Sequence, residues 1–127
     1  MEFSSLEKRN RIRYTLEQID NAINQLREWN EDVDNADTFY LSSSGMQKLA
    51  ANCMLIEAIG EGIKQIDEHS NGELLPERPE IPWRDVIGAR NRIAHGYFEV
   101  DAETVLSIIK NDLDPLQAAV KYFLDTI

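Results

Sequence analysis

The residues best equipped for chemistry lie within one octapeptide, Arg90-Asn91-Arg92-Ile93-Ala94-His95-Gly96-Tyr97. An arginine keeps its proton at any accessible pH, so Arg90 can hold an anion as a permanent cation. An imidazole exchanges protons near neutrality, so His95 can serve as general acid or base beside a held phosphate. That combination suits cleavage of RNA without a metal, with the neighbouring 2′-hydroxyl as nucleophile and the cations stabilising developing charge. Asn91 lies about 40° from His95 around an ideal helix, where it could orient the ring or bind the same ligand. Arg90 and His95 diverge by about 140° on a straight helix. They converge if the helix end distorts, or if a two-fold axis composes the site from two chains.

Helices must position these groups, because no period-two alternation runs long enough to read as a sheet. Ile12, Leu16, Ile19, Ile23 and Leu26 make one apolar stripe on a helix from Ser5 to about Val33. A polar connection from Asp34 to Ser44 contains Phe39, Tyr40 and Leu41 and has room for a short helical turn. The second stripe runs through Met46, Leu49, Cys53, Ile56, Ile59, Ile63 and Ile66 and stops at Ser70-Asn71-Gly72. A third helix is expected from near Pro82 to about Tyr97, since proline suits a first turn. Asp101 is a plausible N-cap for a fourth, in which Asp114-Pro115 should cause a kink or break. The expected architecture is all-α, an up-and-down four-helix bundle forming one domain over residues 1–127.

The third helix breaks its own pattern. Trp83, Val86, Ile87, Ile93, Ala94 and Tyr97 share a face, and Arg90 falls at its centre. Burying an unpaired guanidinium there would be very costly. Either the position opens to an anion, or a carboxylate meets it, and Glu57 beside the second stripe is the natural partner. The sequence is compatible both with a structural Arg90–Glu57 pair and with a ligand site. An aliphatic residue would often stabilise such a position as well, so pairing alone is weak evidence of a stability role.

Composition narrows the partners. At 127 residues with 43% hydrophobic and 28% charged residues, the chain has the make-up of a soluble globular domain. Its net charge of −10 is not that of a generally basic nucleic-acid binder. Any RNA site must be a local cationic pocket. The cations do cluster: Lys8, Arg9, Arg11 and Arg13 read as a solvated helix face, and Arg84, Arg90 and Arg92 precede His95. Cys53 stands alone, which fits a reducing cytoplasm, and its place on an apolar stripe marks it as a core thiol. No membrane span or secretory signal is expected. His69 and His95 are the only histidines and give no zinc pattern, while Glu57 and Glu61 lack the accompanying histidine of a di-metal bundle. His69 suits the C-terminal end of the second helix. No glycine-rich phosphate loop, dinucleotide fingerprint or nucleophile elbow occurs, so no cofactor or metal is expected.

Arg90, His95 and Tyr97 reproduce an R-x4-H-x-Y motif, and on these residues the chain resembles the HepT toxins of the HEPN superfamily. Ile56-Glu57-Ala58-Ile59-Gly60-Glu61 is similar to that family's second-helix L-E-x-I-G-E segment. The run from Ile81-Pro82-Trp83 to Arg90-Asn91-Arg92 is similar to its I-P-W…R-N approach to the motif. Asn111-Asp112-Leu113 and Leu116 fit its last helix, and Leu106 departs from a common tryptophan. The resemblance extends from about Leu6 to Leu124. It implies a homodimer with a shared cleft, acting on RNA as a metal-independent ribonuclease toxin. Arg90 would bind the scissile phosphate, His95 would act as acid or base, and Asn91 would help position them, with Glu57 and Arg92 supporting. It also implies a minimal nucleotidyltransferase antitoxin of the MntA type as partner, which transfers AMP to the motif tyrosine, here Tyr97. The alternative is a non-catalytic HEPN subunit that presents nucleotides or RNA to such a partner; a purely structural dimeric adaptor would leave the motif unexplained.

Overall fold

The computed structural model describes residues 2–94 and 98–127, with the side chains of residues 2–4 outside the description. Helix α1 covers Glu2–Trp29, α2 Ser43–His69, α3 Trp83–Ile87, α4 Ala89–Ile93, α5 Ala102–Ser107 and α6 Leu113–Thr126. No strand occurs among the described residues; Ala94 and Val100 form one isolated antiparallel bridge. The result is an all-α bundle whose core gathers most of the expected stripes: Ile12, Leu16, Ile19, Ile23 and Leu26 are all buried, as are Leu49, Ile56, Ile59, Ile63 and Ile66, whereas Met46 at the head of the second stripe is exposed and Cys53 is only half-buried.

Local signals explain the helix ends. The Ser42 side chain accepts a hydrogen bond from the Gly45 amide and caps α2. At the other end Asn71 and Gly72 take φ of 55° and 74°, and the Gly72 amide returns to the Asp67 carbonyl. The turn anticipated between the first two helices is a 3-10 segment, Ala36–Tyr40, which buries Phe39 completely. Asp101 caps α5 as expected, accepting from the Thr104 amide at 3.0 Å. Ahead of Pro115 the chain forms a π segment, Ile108–Asp112, that runs on into α6 without a break. Proline cannot donate to a carbonyl one turn back and its ring crowds that turn. The irregularity anticipated at Asp114-Pro115 is this π segment: its wider turn interrupts the α-helical hydrogen bonding just before the proline and absorbs the misfit.

One polar pair lies in this core. Asn30 and Asn52 are buried and exchange two amide hydrogen bonds of 2.8 and 2.9 Å, and Asn30 also donates to the Leu26 carbonyl. The exchange leaves both amides satisfied and fixes the register of α1 against α2. Replacing Asn52 alone with leucine should cost about 1–3 kcal/mol, because the Asn30 amide loses its partner inside the core. Replacing both asparagines with leucine should recover much of that loss. Urea unfolding of the three variants beside wild type checks both statements.

Candidate functional site

The expected third helix is two helices. Gly88, with φ −90° and ψ 16°, separates α3 from α4, and α4 ends at Ile93 with Ala94 already extended. The break turns the core-facing direction. Ala89 and Ile93, one turn apart, are buried, while Arg90, Asn91 and Arg92 between them are exposed. Arg90 is therefore not in the middle of an apolar face. Its side chain is 73% exposed. The wheel that placed it inward assumed one unbroken helix, and Gly88 is the residue that invalidates it.

Glu57 is nevertheless its partner. The Arg90 Nε lies 2.8 Å from Glu57 Oε1, and the glutamate side chain is itself 43% exposed. An ion pair this open to water contributes about 0–1 kcal/mol, so it orients the guanidinium more than it holds the fold together. Among the described residues no other carboxylate pairs with Arg90. Its two terminal nitrogens are left for another anion. Arg84 and Arg92 also form no ion pair among the described residues.

His95 and Tyr97 lie outside the described residues, so the convergence of Arg90 with His95 has no geometry here. What is described is the base of the segment that carries them. Ala94 bridges Val100, and the Asp101 amide donates to the Ile93 carbonyl at 2.7 Å. The Tyr40 hydroxyl donates to the Val100 carbonyl at 3.2 Å. The chain is thus tied together at Ile93 and Ala94 on one side and Val100 and Asp101 on the other, and a residue of the connection between α1 and α2 adds to the tie. Tyr40 escaped the reading of the sequence; an aromatic in a polar connection was its only signal.

The remaining candidates separate cleanly. Cys53 is half-buried, and burial first, then the nearby Glu57 charge, pushes its thiol pKa up. A thiol so disfavoured as thiolate is a poor nucleophile. Glu61 on α2 is exposed with no ion pair among the described residues, and there no group of three histidine, cysteine, aspartate or glutamate side chains could hold a metal. His69 occupies the last turn of α2, remote in sequence from the octapeptide. No helix among the described residues is long and apolar enough to cross a membrane.

Comparison with known proteins decides the family. A family model described as ribonuclease HepT-like matches residues 8–123, nearly the whole chain. The chain belongs to the HepT-like family. It is 30% identical over 66 residues to a presumed RNase of Methanocaldococcus jannaschii, covering 52% of this chain and 57% of that protein. It is 34% identical over 62 residues to a "Probable ribonuclease HepT" of Thermococcus cleftensis, covering 49% of this chain and 53% of that one. A presumed RNase of Caldanaerobacter subterraneus is 28% identical over 69 residues, covering 54% of this chain and 58% of its own. The matches thus span little more than half the length of these curated relatives. No solved structure matches the chain significantly.

Proposed function

We propose that this HepT-like protein is a metal-independent endoribonuclease and the toxin of a toxin–antitoxin pair. The observation that carries the reading is Arg90, held by Glu57 at 2.8 Å yet open to solvent, on the short helix that leads directly into His95-Gly96-Tyr97. Arg90 binds the scissile phosphate. The 2′-hydroxyl attacks phosphorus as the bond to the 5′-oxygen breaks. His95 moves a proton, either from the nucleophile or to the leaving oxygen, and Asn91 helps hold the phosphate or the ring. Neither metal nor cofactor is needed for this chemistry. Arg92 adds positive potential at the same helix.

Two copies of the chain share the cleft in this proposal. Its support is an apolar surface beside Glu57: Met46 and Met54 are 57% and 71% exposed on the outer side of α2, with exposed Ala50 between them. Phe98 is wholly exposed just after the motif. Exposed apolar side chains at successive turns of one helix face mark an interaction surface in an otherwise highly charged protein. The regulator is a minimal nucleotidyltransferase antitoxin of the MntA type that transfers AMP from ATP to the Tyr97 hydroxyl. A phosphodiester there adds negative charge close to the phosphate site and repels RNA. The reading also places the pair in the cytoplasm, where its RNA is.

The test is a gel assay of RNA incubated with the purified protein in the presence of EDTA, wild type against His95→Ala. Wild type should cleave, and the variant should be slower by about 10²–10⁴-fold. Equal rates, or no cleavage by unmodified wild type, would sink the catalytic role and leave a non-catalytic HEPN subunit that binds nucleotide or RNA.

A further inference from the structure

Arg90, Asn91 and Arg92 are consecutive and exposed, while Ala89 and Ile93 at the two ends of α4 are buried. At 100° per residue the three exposed side chains trace an arc of about 200° around the helix. Arg90 begins it at Glu57. Arg92 ends it at a cavity of about 120 Å³ on the other side of α4, walled by Ile59, Pro82, Val86, Ala89, Ile108 and Pro115. Part of its wall comes from the π segment, through Ile108 and Asp112, and from Pro115 just beyond it. Its aliphatic walls keep a little exposure, 4% at Ile59 and 7% at Ile108, where Leu16, Ile23 and Ile63 elsewhere in the core have none.

Three charged residues border this cavity: Glu80, Arg92 and Asp112. Glu80 is committed to Arg78 at 2.7 Å. Arg92 and Asp112 are exposed and form no ion pair among the described residues, with each other or with anything else. An apolar slot with one uncommitted donor and one uncommitted acceptor beside it is complementary to a flat ring carrying polar edges. Size limits the ring. An enclosed aliphatic cavity of about 150 Å³ accepts benzene, so this smaller, partly open one suits a single six-membered ring better than a fused purine. In RNA that ring is a pyrimidine. Cytosine fits the charges: its N4 amine can donate to the Asp112 carboxylate, and its O2 and N3 can accept from the Arg92 guanidinium. Uracil in the same pose would set its O4 against the carboxylate and its N3–H against the guanidinium, acceptor facing acceptor and donor facing donor.

We propose that the cavity beside Arg92 is a base subsite for a pyrimidine, cytosine before uracil, next to the phosphate that Arg90 holds. The inference rests on the ribonuclease reading and extends it to sequence preference, with the strand passing from Arg90 over Asn91 to Arg92. Calorimetric titration with 3′-CMP, 3′-UMP and 3′-AMP tests the site without any need for turnover. The expected order is CMP, then UMP, then AMP, with a roughly five- to hundred-fold preference for CMP over UMP. Arg92→Met and Asp112→Ala, both at exposed positions, should each remove most of that preference. Equal affinity for the three nucleotides overturns the proposal, as does a cytidine preference that survives Asp112→Ala. Binding of phenol without any response to 3′-CMP marks a plain apolar void and also overturns it. Mapping of cleavage sites separates the two readings. Nucleotide binding with the expected variant pattern but no cleavage would end the ribonuclease reading and keep the subsite; cleavage without base preference would do the reverse.

Discussion

Arg90→Met should leave the folded protein as stable as wild type and slow RNA cleavage by about 10²–10³-fold. The stability half follows from exposure. With a side chain 73% open to water and a partner 43% open, the pair with Glu57 is worth at most about 1 kcal/mol. Methionine keeps the length of the stem and the helix propensity. The activity half follows from charge and from the proposed role: a guanidinium on the scissile phosphate would stabilise charge that develops only as the bond breaks, and removing one such donor has the effect of losing an oxyanion contact. Thermal unfolding and single-turnover cleavage, measured on the same preparation, check both halves. A melting temperature lower by more than a few degrees would return Arg90 to the structural role that the sequence left open. Unchanged cleavage would remove it from the site. Glu57→Gln is the informative companion, since loss of the orienting carboxylate should cost less than loss of the cation.

The reasons these expectations could be formed from sequence differ along the chain. The stripes of α1 and α2 were legible because long helices repeat their pattern many times, and Ile12 to Leu26 and Ile56 to Ile66 are buried as their spacing requires. Asp101 and the Asn71-Gly72 stop were legible because caps depend on residues close in sequence. Arg90 was misplaced because a wheel drawn from Trp83 onward carries every error past Gly88 into the motif. Gly88 was a visible warning, since glycine costs about 1 kcal/mol in a helix relative to alanine. Yet whether a glycine breaks a helix depends on what its neighbours pack against. The pairing with Glu57 survived the error, because it needed only that α4 lie alongside α2. The Asn30–Asn52 exchange, the burial of Phe39 and the Tyr40 contact were not legible at all. Each joins residues that are distant in sequence and carry no local pattern.

A single methyl group should do most damage at Gly60. Gly60 is buried on α2, and a Cβ placed there would stand 2.7 Å from the Val86 carbonyl oxygen and 3.1 Å from that of Ile87. Both obstacles are backbone of α3, immediately before the Gly88 break, so neither can rotate aside. Gly60→Ala must therefore push α3 away from α2, and α4 with Arg90 goes with it. Alanine gains about 1 kcal/mol of helix propensity, while overpacking costs about 1–3 kcal/mol and more when backbone has to move. The expected net result is destabilisation, together with a loss of cleavage larger than the unfolded fraction explains, because Arg90 leaves Glu57. Gly62→Ala is the control on the same helix. There the new methyl group meets the Ile19 side chain at 3.1 Å and Thr15 Cγ2 at 3.3 Å, atoms that can shift by a few tenths of an ångström. Its stability should stay near wild type, and its cleavage rate should not change. Chemical denaturation of the pair, with cleavage measured where both are fully folded, decides the matter. A Gly60→Ala protein as stable and as active as Gly62→Ala would show that α3 is not seated on α2 through that glycine, and that the placement of Arg90 does not depend on it.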